Sequence, residues 1–220
     1  MVTRRNLLGA AAGAGVLALT AAAPAGAAIS NSGTWTADVS ANGWSIQPAA
    51  IATFRIGGST ASVALRRGDA AAVLLHVARR WHYEIAALDT GEGGGIAGHI
   101  ISRTVRADFE SNQLSGTAVV LHPTAYPFGG SERLWPHQEA IVRDILADCA
   151  GTVVWGGHLT PAKASHFHLA ARPGDNALAR VATRLDTGRQ RRFRSQTAGV
   201  VADPAAPARR ALTRNIPRPR

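Results

Sequence analysis

The sequence predicts a single α+β domain, a small antiparallel or mixed sheet with helices packed on it. Three observations lead there. The chain has 220 residues, 46% hydrophobic and 17% charged, which suits one domain with extensions and is too apolar for a disordered chain. Short β-rich stretches mix with apolar helical stretches, without the regular rhythm of a βαβ protein. A lone cysteine, Cys149, excludes an intrachain disulfide framework and a cysteine-based zinc site, so packing must supply the core.

The elements follow in order. Arg4 and Arg5 precede an uncharged run from Gly9 to Ala23 and a small-residue site at Ala25-Gly26-Ala27. These are the basic, apolar and cleavage regions of an export signal over 1–28, with the arginine pair as the twin-arginine address. The run is short and weakly hydrophobic for a permanent span. The mature protein is therefore expected to be extracellular or wall-associated, with no integral membrane segment after cleavage. Residues 29–60 are polar around Trp35 and Trp44 and read as an extended segment. The folded domain is expected over 61–188.

Within it, Ala61 to Leu65 alternates like a strand, and Gly68-Asp69 offers an N-cap to a helix running to about Trp81. Ile85 to Leu88 reads as a strand, and Asp89 to Gly98, with five glycines, as a loop. His99 to Val105 and Gly116 to His122 are β-rich. Pro136 sits at the first turn of a helix whose buried stripe is Ile141, Ile145 and Leu146. Thr152 to Trp155 and Ser165 to Ala170 are further strands, and Asp175 caps a last helix ending near Gly188.

The net charge of +10 belongs to the two ends. Arg4 and Arg5 supply part, and nine arginines against Asp203 beyond Thr187 supply the rest, so the middle is balanced. A nucleic-acid-binding core is excluded on that ground. The Arg/Pro/Ala-rich tail, 189–220, reads as disordered, either a solvated appendage or a hold on anionic wall polymers.

Three segments carry a resemblance. Ser111-Asn-Gln-Leu-Ser-Gly116-Thr-Ala118-Val-Val120 is similar to the pattern S-x-H-x-x-G-x-A-x-D, Trp155-Gly156-Gly157 to W-G-G-D, and Ser165-His166-Phe167 to M-H-F. Asn42-Gly43-Trp44 and Arg103, eight residues before Ser111, add weaker echoes. Together, over about 39–186, they resemble the zinc D-alanyl-D-alanine carboxypeptidases and related peptidoglycan peptidases of the vancomycin-resistance type. The resemblance implies a zinc ion held by two histidines and an aspartate, with one position open for water. It also implies an acidic base three residues before the last histidine, and an arginine and serine that hold substrate carboxylate or oxyanion.

Carried over by position, most of that set is substituted. Gln113 stands at the first histidine, Val120 at the aspartate and Lys163 at the general base, while His166 alone remains as a family ligand. His158 follows Trp-Gly-Gly where aspartate is usual. The expectation is an exported pseudoenzyme, without a cofactor, that binds cell-wall peptide or scaffolds wall enzymes through a groove lined by Arg103, Ser111 and Trp155. One alternative is an active zinc metallopeptidase whose site is rebuilt from Gln113, His122, His166 and His168, because strand alternation puts His122 on the face of Val120 and His168 on that of His166. The other is a structural wall protein retained by its basic tail. Ser115 lacks a nucleophile-elbow context, and Gly91 to Gly98 lacks the Gly-Lys-Ser/Thr ending of a phosphate loop.

Overall fold

The computed structural model describes residues 33–195, with 207, 210 and 211; side chains are described only to 186 within the last helix. The export signal, 1–28, and most of the basic tail lie outside the described residues. The fold is α+β, with strands β1 (Gly33–Thr34), β2 (Ile51–Arg55) and β3 (Ser62–Arg66) leading into helix α1 (Asp69–Glu84). Then come β4 (Ile96–Ala97), β5 (Thr104–Val105), β6 (Ala118–Leu121), α2 (Pro136–Asp148), β7 (Val153–Trp155), β8 (His166–Leu169) and α3 (Asn176–Ser195). Every strand pair is antiparallel: β1 with β5, β2 with β3, and a four-stranded sheet in the order β4-β6-β8-β7.

α1 is the central beam. Its apolar residues recur at helical spacing, and Ala70, Val73, Leu74, Val77, Ala78 and Trp81 are all buried. Gly68 precedes it at φ +83°, a left-handed conformation that a side chain would resist. Val63 and Leu65 of β3, Val119 and Leu121 of β6, Val142 and Ile145 of α2, and Phe167 and Leu169 of β8 close the same core. Each such burial contributes about 1.5–3 kcal/mol. At α2, Pro136 occupies the first turn as expected, and the Gln138 side chain accepts the free Trp135 N–H at 3.0 Å.

Five boundaries differ from expectation. The expected loop Asp89 to Gly98 contains β4, and of the β-rich stretch His99 to Val105 only Thr104–Val105 is strand. Ile85 to Leu88 is not a strand: α1 continues to Glu84, and Trp81 O accepts the N–H groups of both Ile85 and Ala86. A four-residue apolar run fits either state; here Ile85 closes the helix and Ala86 to Leu88 are irregular. The last helix does not stop near Gly188 but runs to Ser195. Asp175 does cap its start, Oδ1 accepting Ala177 N–H at 2.7 Å.

A last correction concerns the expected extended segment, whose described part, 33–60, belongs to the fold. β2 pairs along its whole length with β3, and Ile56 is buried. Farther upstream, Asn42 Nδ2 donates to Thr117 Oγ1 (2.9 Å) and Leu169 O (3.0 Å), while Trp44 Nε1 donates to Ala171 O (2.8 Å). Polar residues there hide a hydrogen-bonded clamp on the sheet rather than a lead-in. Among the described residues no helix is long and apolar enough to cross a membrane.

Candidate functional site

The four-stranded sheet has two different faces. Alternation sends Phe167 and Leu169 of β8 toward the helices and His166 and His168 to the other side. There the register sets Val120 opposite His166 and Ala118 opposite His168. Side chains so paired lie about 4.5–5.5 Å apart at Cβ. The two imidazole centroids are 5.2 Å apart. His166 is 0% exposed and neither of its ring nitrogens has a hydrogen-bond partner; Nδ1 of His168 also has none.

A turn of 3-10 helix over Asp108–Gln113 covers this face. Phe109 lies 4.9 Å from the His166 ring and 6.4 Å from that of His168, and stacks on Phe128 at 6.0 Å. The Arg106 guanidinium caps Phe128 at 4.5 Å. Burial, then the neighbouring His168 and Lys163, hold the His166 imidazole well below its ordinary titration range. Burial alone brings His168 down to about 4. Both rings are neutral at neutral pH.

Beside them Lys163 Nζ meets Glu110 Oε1 at 2.6 Å in a buried ion pair. Glu110 also accepts the Arg106 N–H at 2.9 Å. Burial pushes the Glu110 carboxyl up, but its bond to Lys163, that ammonium's charge and Arg106 outweigh it, so the carboxylate is held below its usual range. The base position of the resembled family therefore holds a cation locked to a carboxylate.

The donor set does not fit the zinc that the resemblance implies. Val120 offers no donor, Lys163 is a cation, and the Gln113 amide nitrogen donates to Gly98 O at 3.0 Å. Among the described residues no three His, Cys, Asp or Glu side chains converge. His122, expected on the Val120 face, turns away from it. β6 ends at Leu121, His122 has φ +52°, and its Nδ1 accepts Trp81 Nε1–H at 2.9 Å while Nε2 meets Ala87 O at 3.1 Å. Strand alternation fails there because the strand ends one residue earlier.

The three expected groove residues do not come together. Ser111 is fully buried, its Oγ accepting Ala41 N–H at 2.9 Å and donating to Asp108 O. Arg103 donates to Trp35 O (3.1 Å) and Ala37 O (3.0 Å) and so ties down the segment around Trp35. Trp155 is buried with its N–H on Ala164 O at 2.7 Å, but its edge borders a hollow of about 140 Å³. Arg133, Arg143, Leu134, His158 and Ala164 also line that hollow. Arg143 is paired with Glu139 at 3.1 Å, and His158 sits edge-on to Trp155 at 4.8 Å.

Sequence reasoning missed Phe109, Phe128 and the two arginines of the hollow. Glu110 carries no motif that would single it out. Lys163 is the only lysine of the chain and sits in its charge-balanced middle, which was the available sign of a specific partner.

The glycines of the resemblance have local physical reasons. A Cβ on Gly156 would lie 2.4 Å from Lys163 O, so Trp-Gly-Gly lets the Lys163–His166 turn come close. Gly116 has φ +69° and would bring a Cβ to 2.7 Å from Arg66 N. No family model, no curated protein and no solved structure matches this chain.

Proposed function

We propose that this chain is an exported protein that binds cell-wall peptide without cleaving it, on a framework similar to the zinc D,D-carboxypeptidases. The hollow beside Trp155 carries the reading. It sets the Arg133 guanidinium, and that of Arg143 with its partner Glu139, beside small apolar walls at Leu134 and Ala164. That combination suits a short peptide ending in a carboxylate, its terminal methyl group against the apolar wall. The substituted metal and base positions argue against hydrolysis, since losing a general base alone typically costs about 10²–10⁴-fold. The export-type segment over 1–28 supplies access to the wall.

The test is co-sedimentation of the full chain with purified peptidoglycan, competed by a peptide ending in D-alanyl-D-alanine. The expected result is competed binding, weakened about tenfold or more in Arg133→Ala/Arg143→Ala, since a charge-assisted bond contributes about 1.5–3 kcal/mol. Absence of binding overturns the proposal. Binding lost only on deletion of 189–220 overturns it in favour of retention by the basic tail. Chelator-sensitive release of D-alanine, lost in His166→Ala, overturns it in favour of a rebuilt zinc peptidase.

A further inference from the structure

We infer that His166 and His168 form a two-nitrogen binding site for a soft monovalent cation, copper(I) in chemical class. The inference is independent of the peptide-binding proposal; it keeps His166 and His168 of the rebuilt zinc set considered above and dispenses with Gln113 and His122.

Geometry is the first support. The two residues are separated by one position on β8 and leave the strand on the same face, with ring centroids 5.2 Å apart and planes tilted by 49°. Three of their four ring nitrogens have no hydrogen-bond partner, and His166 is completely buried. Buried polar atoms are almost always paired, so an imidazole with both nitrogens orphaned is exceptional for a group that only fills space. A neutral imidazole that donates a lone pair to a metal ion meets that need.

The surroundings choose the ion. Val120 and Ala118 face the two histidines across the sheet, and Phe109 lies over both rings. None of these supplies a third donor. Glu110, the carboxylate of this face, is bound to Lys163 and Arg106 and so is not free to serve as a ligand. A divalent zinc ion needs about four donors and charge compensation, and finds neither. A closed-shell monovalent ion is satisfied by two ligands, carries half the charge into the apolar face, and imidazole is a good ligand for copper. Phe109, which packs on both rings, is itself only half-buried.

Silver(I) is the redox-inert probe of the same charge and ligand preference. The full chain, in a Cys149→Ser background to remove the thiol, is labelled isotopically at histidine and titrated with silver nitrate. The expected result is that His166 and His168 imidazole nitrogen resonances shift together and saturate at one equivalent, while those of His122 and His76 stay in place. A hundredfold excess over Kd should raise Tm by on the order of 5 °C or more. His168→Gln should abolish both effects, its His122 resonances showing that the fold survives. Unmoved His166 and His168 resonances overturn the inference. So does an undiminished response in His168→Gln, or an equal one-equivalent response to zinc(II), which would require further ligands.

Discussion

Residues one apart on β8 live in opposite worlds. Phe167 sits edge-on to Trp81 at 5.8 Å and stacks on Trp155 at 6.4 Å, inside a core where the polar atoms of these aromatic rings are paired. Even a histidine is satisfied there, since His122 has a partner for each ring nitrogen. His166, next door and just as buried, has none. The helix-covered face is what selection for stability produces. Both sides hold a buried ion pair, Arg80 with Asp144 between α1 and α2 and Lys163 with Glu110 here, but this face also carries a neutral imidazole pair with orphaned nitrogens, whose burial costs desolvation. A packed strand can thus hold a core on one side and a recognition site on the other.

The sharpest breaks of this contrast are at single residues. Glu110→Ala strands the Lys163 ammonium among Phe109 and the histidines and should destabilise by about 3–5 kcal/mol in urea unfolding. Glu110→Leu/Lys163→Met should recover most of that loss, because the pair as a whole contributes little; equal loss in single and double variants would contradict this. Phe167→Ala should cost a similar 3–5 kcal/mol through the cavity it leaves between Trp81 and Trp155. A loss under 1 kcal/mol there would mean that the aromatic core is looser than its ring geometry implies.

Acid should weaken the histidine face next. His168 is held near 4 in the folded protein by burial, against about 6.5 when unfolded. Its neutral form is the folded form, so its contribution is complete above about pH 6.5 and falls as the pH drops towards 4. The total is about 3 kcal/mol. In His168→Leu the slope of stability over that window should flatten; an unchanged slope would place the titration elsewhere. The smallest effect lies on the core side. Trp81→Phe leaves His122 Nδ1 without its donor and should cost about 1–3 kcal/mol by thermal or urea melts.

Local signals in the sequence account for much of the fold. Pro136 and Asp175 mark helix starts by chemistry that needs no tertiary context, and the apolar spacing of α1 settles its buried face. What local pattern could not decide was where tertiary hydrogen bonds take over. Asn42 and Trp44 look like loop residues until Thr117, Leu169 and Ala171 receive their N–H groups. Gly188 looks like a stop, but the helix continues past it.

The site was legible in part. Alternation placed His166 with His168 on one face, and the cross-strand pairing of Val120 with His166 brings two positions of the sequence motif together. The same rule misplaced His122, because periodicity gives no warning of a strand's last residue. Lys163 stands out at the base position of the resemblance, but its partner Glu110 is 53 residues away and only the folded chain brings them together.

The most direct test of the central claim, that the histidine face is not ordinary core, is the unfolding free energy of His166→Leu measured beside Phe167→Ala. Removing two orphaned nitrogens for an apolar group should leave the protein at least as stable, by on the order of 1 kcal/mol, while its neighbour's truncation destabilises it. If His166→Leu instead loses several kcal/mol, the imidazole is satisfied in the folded protein, and the two faces of β8 obey the same rules.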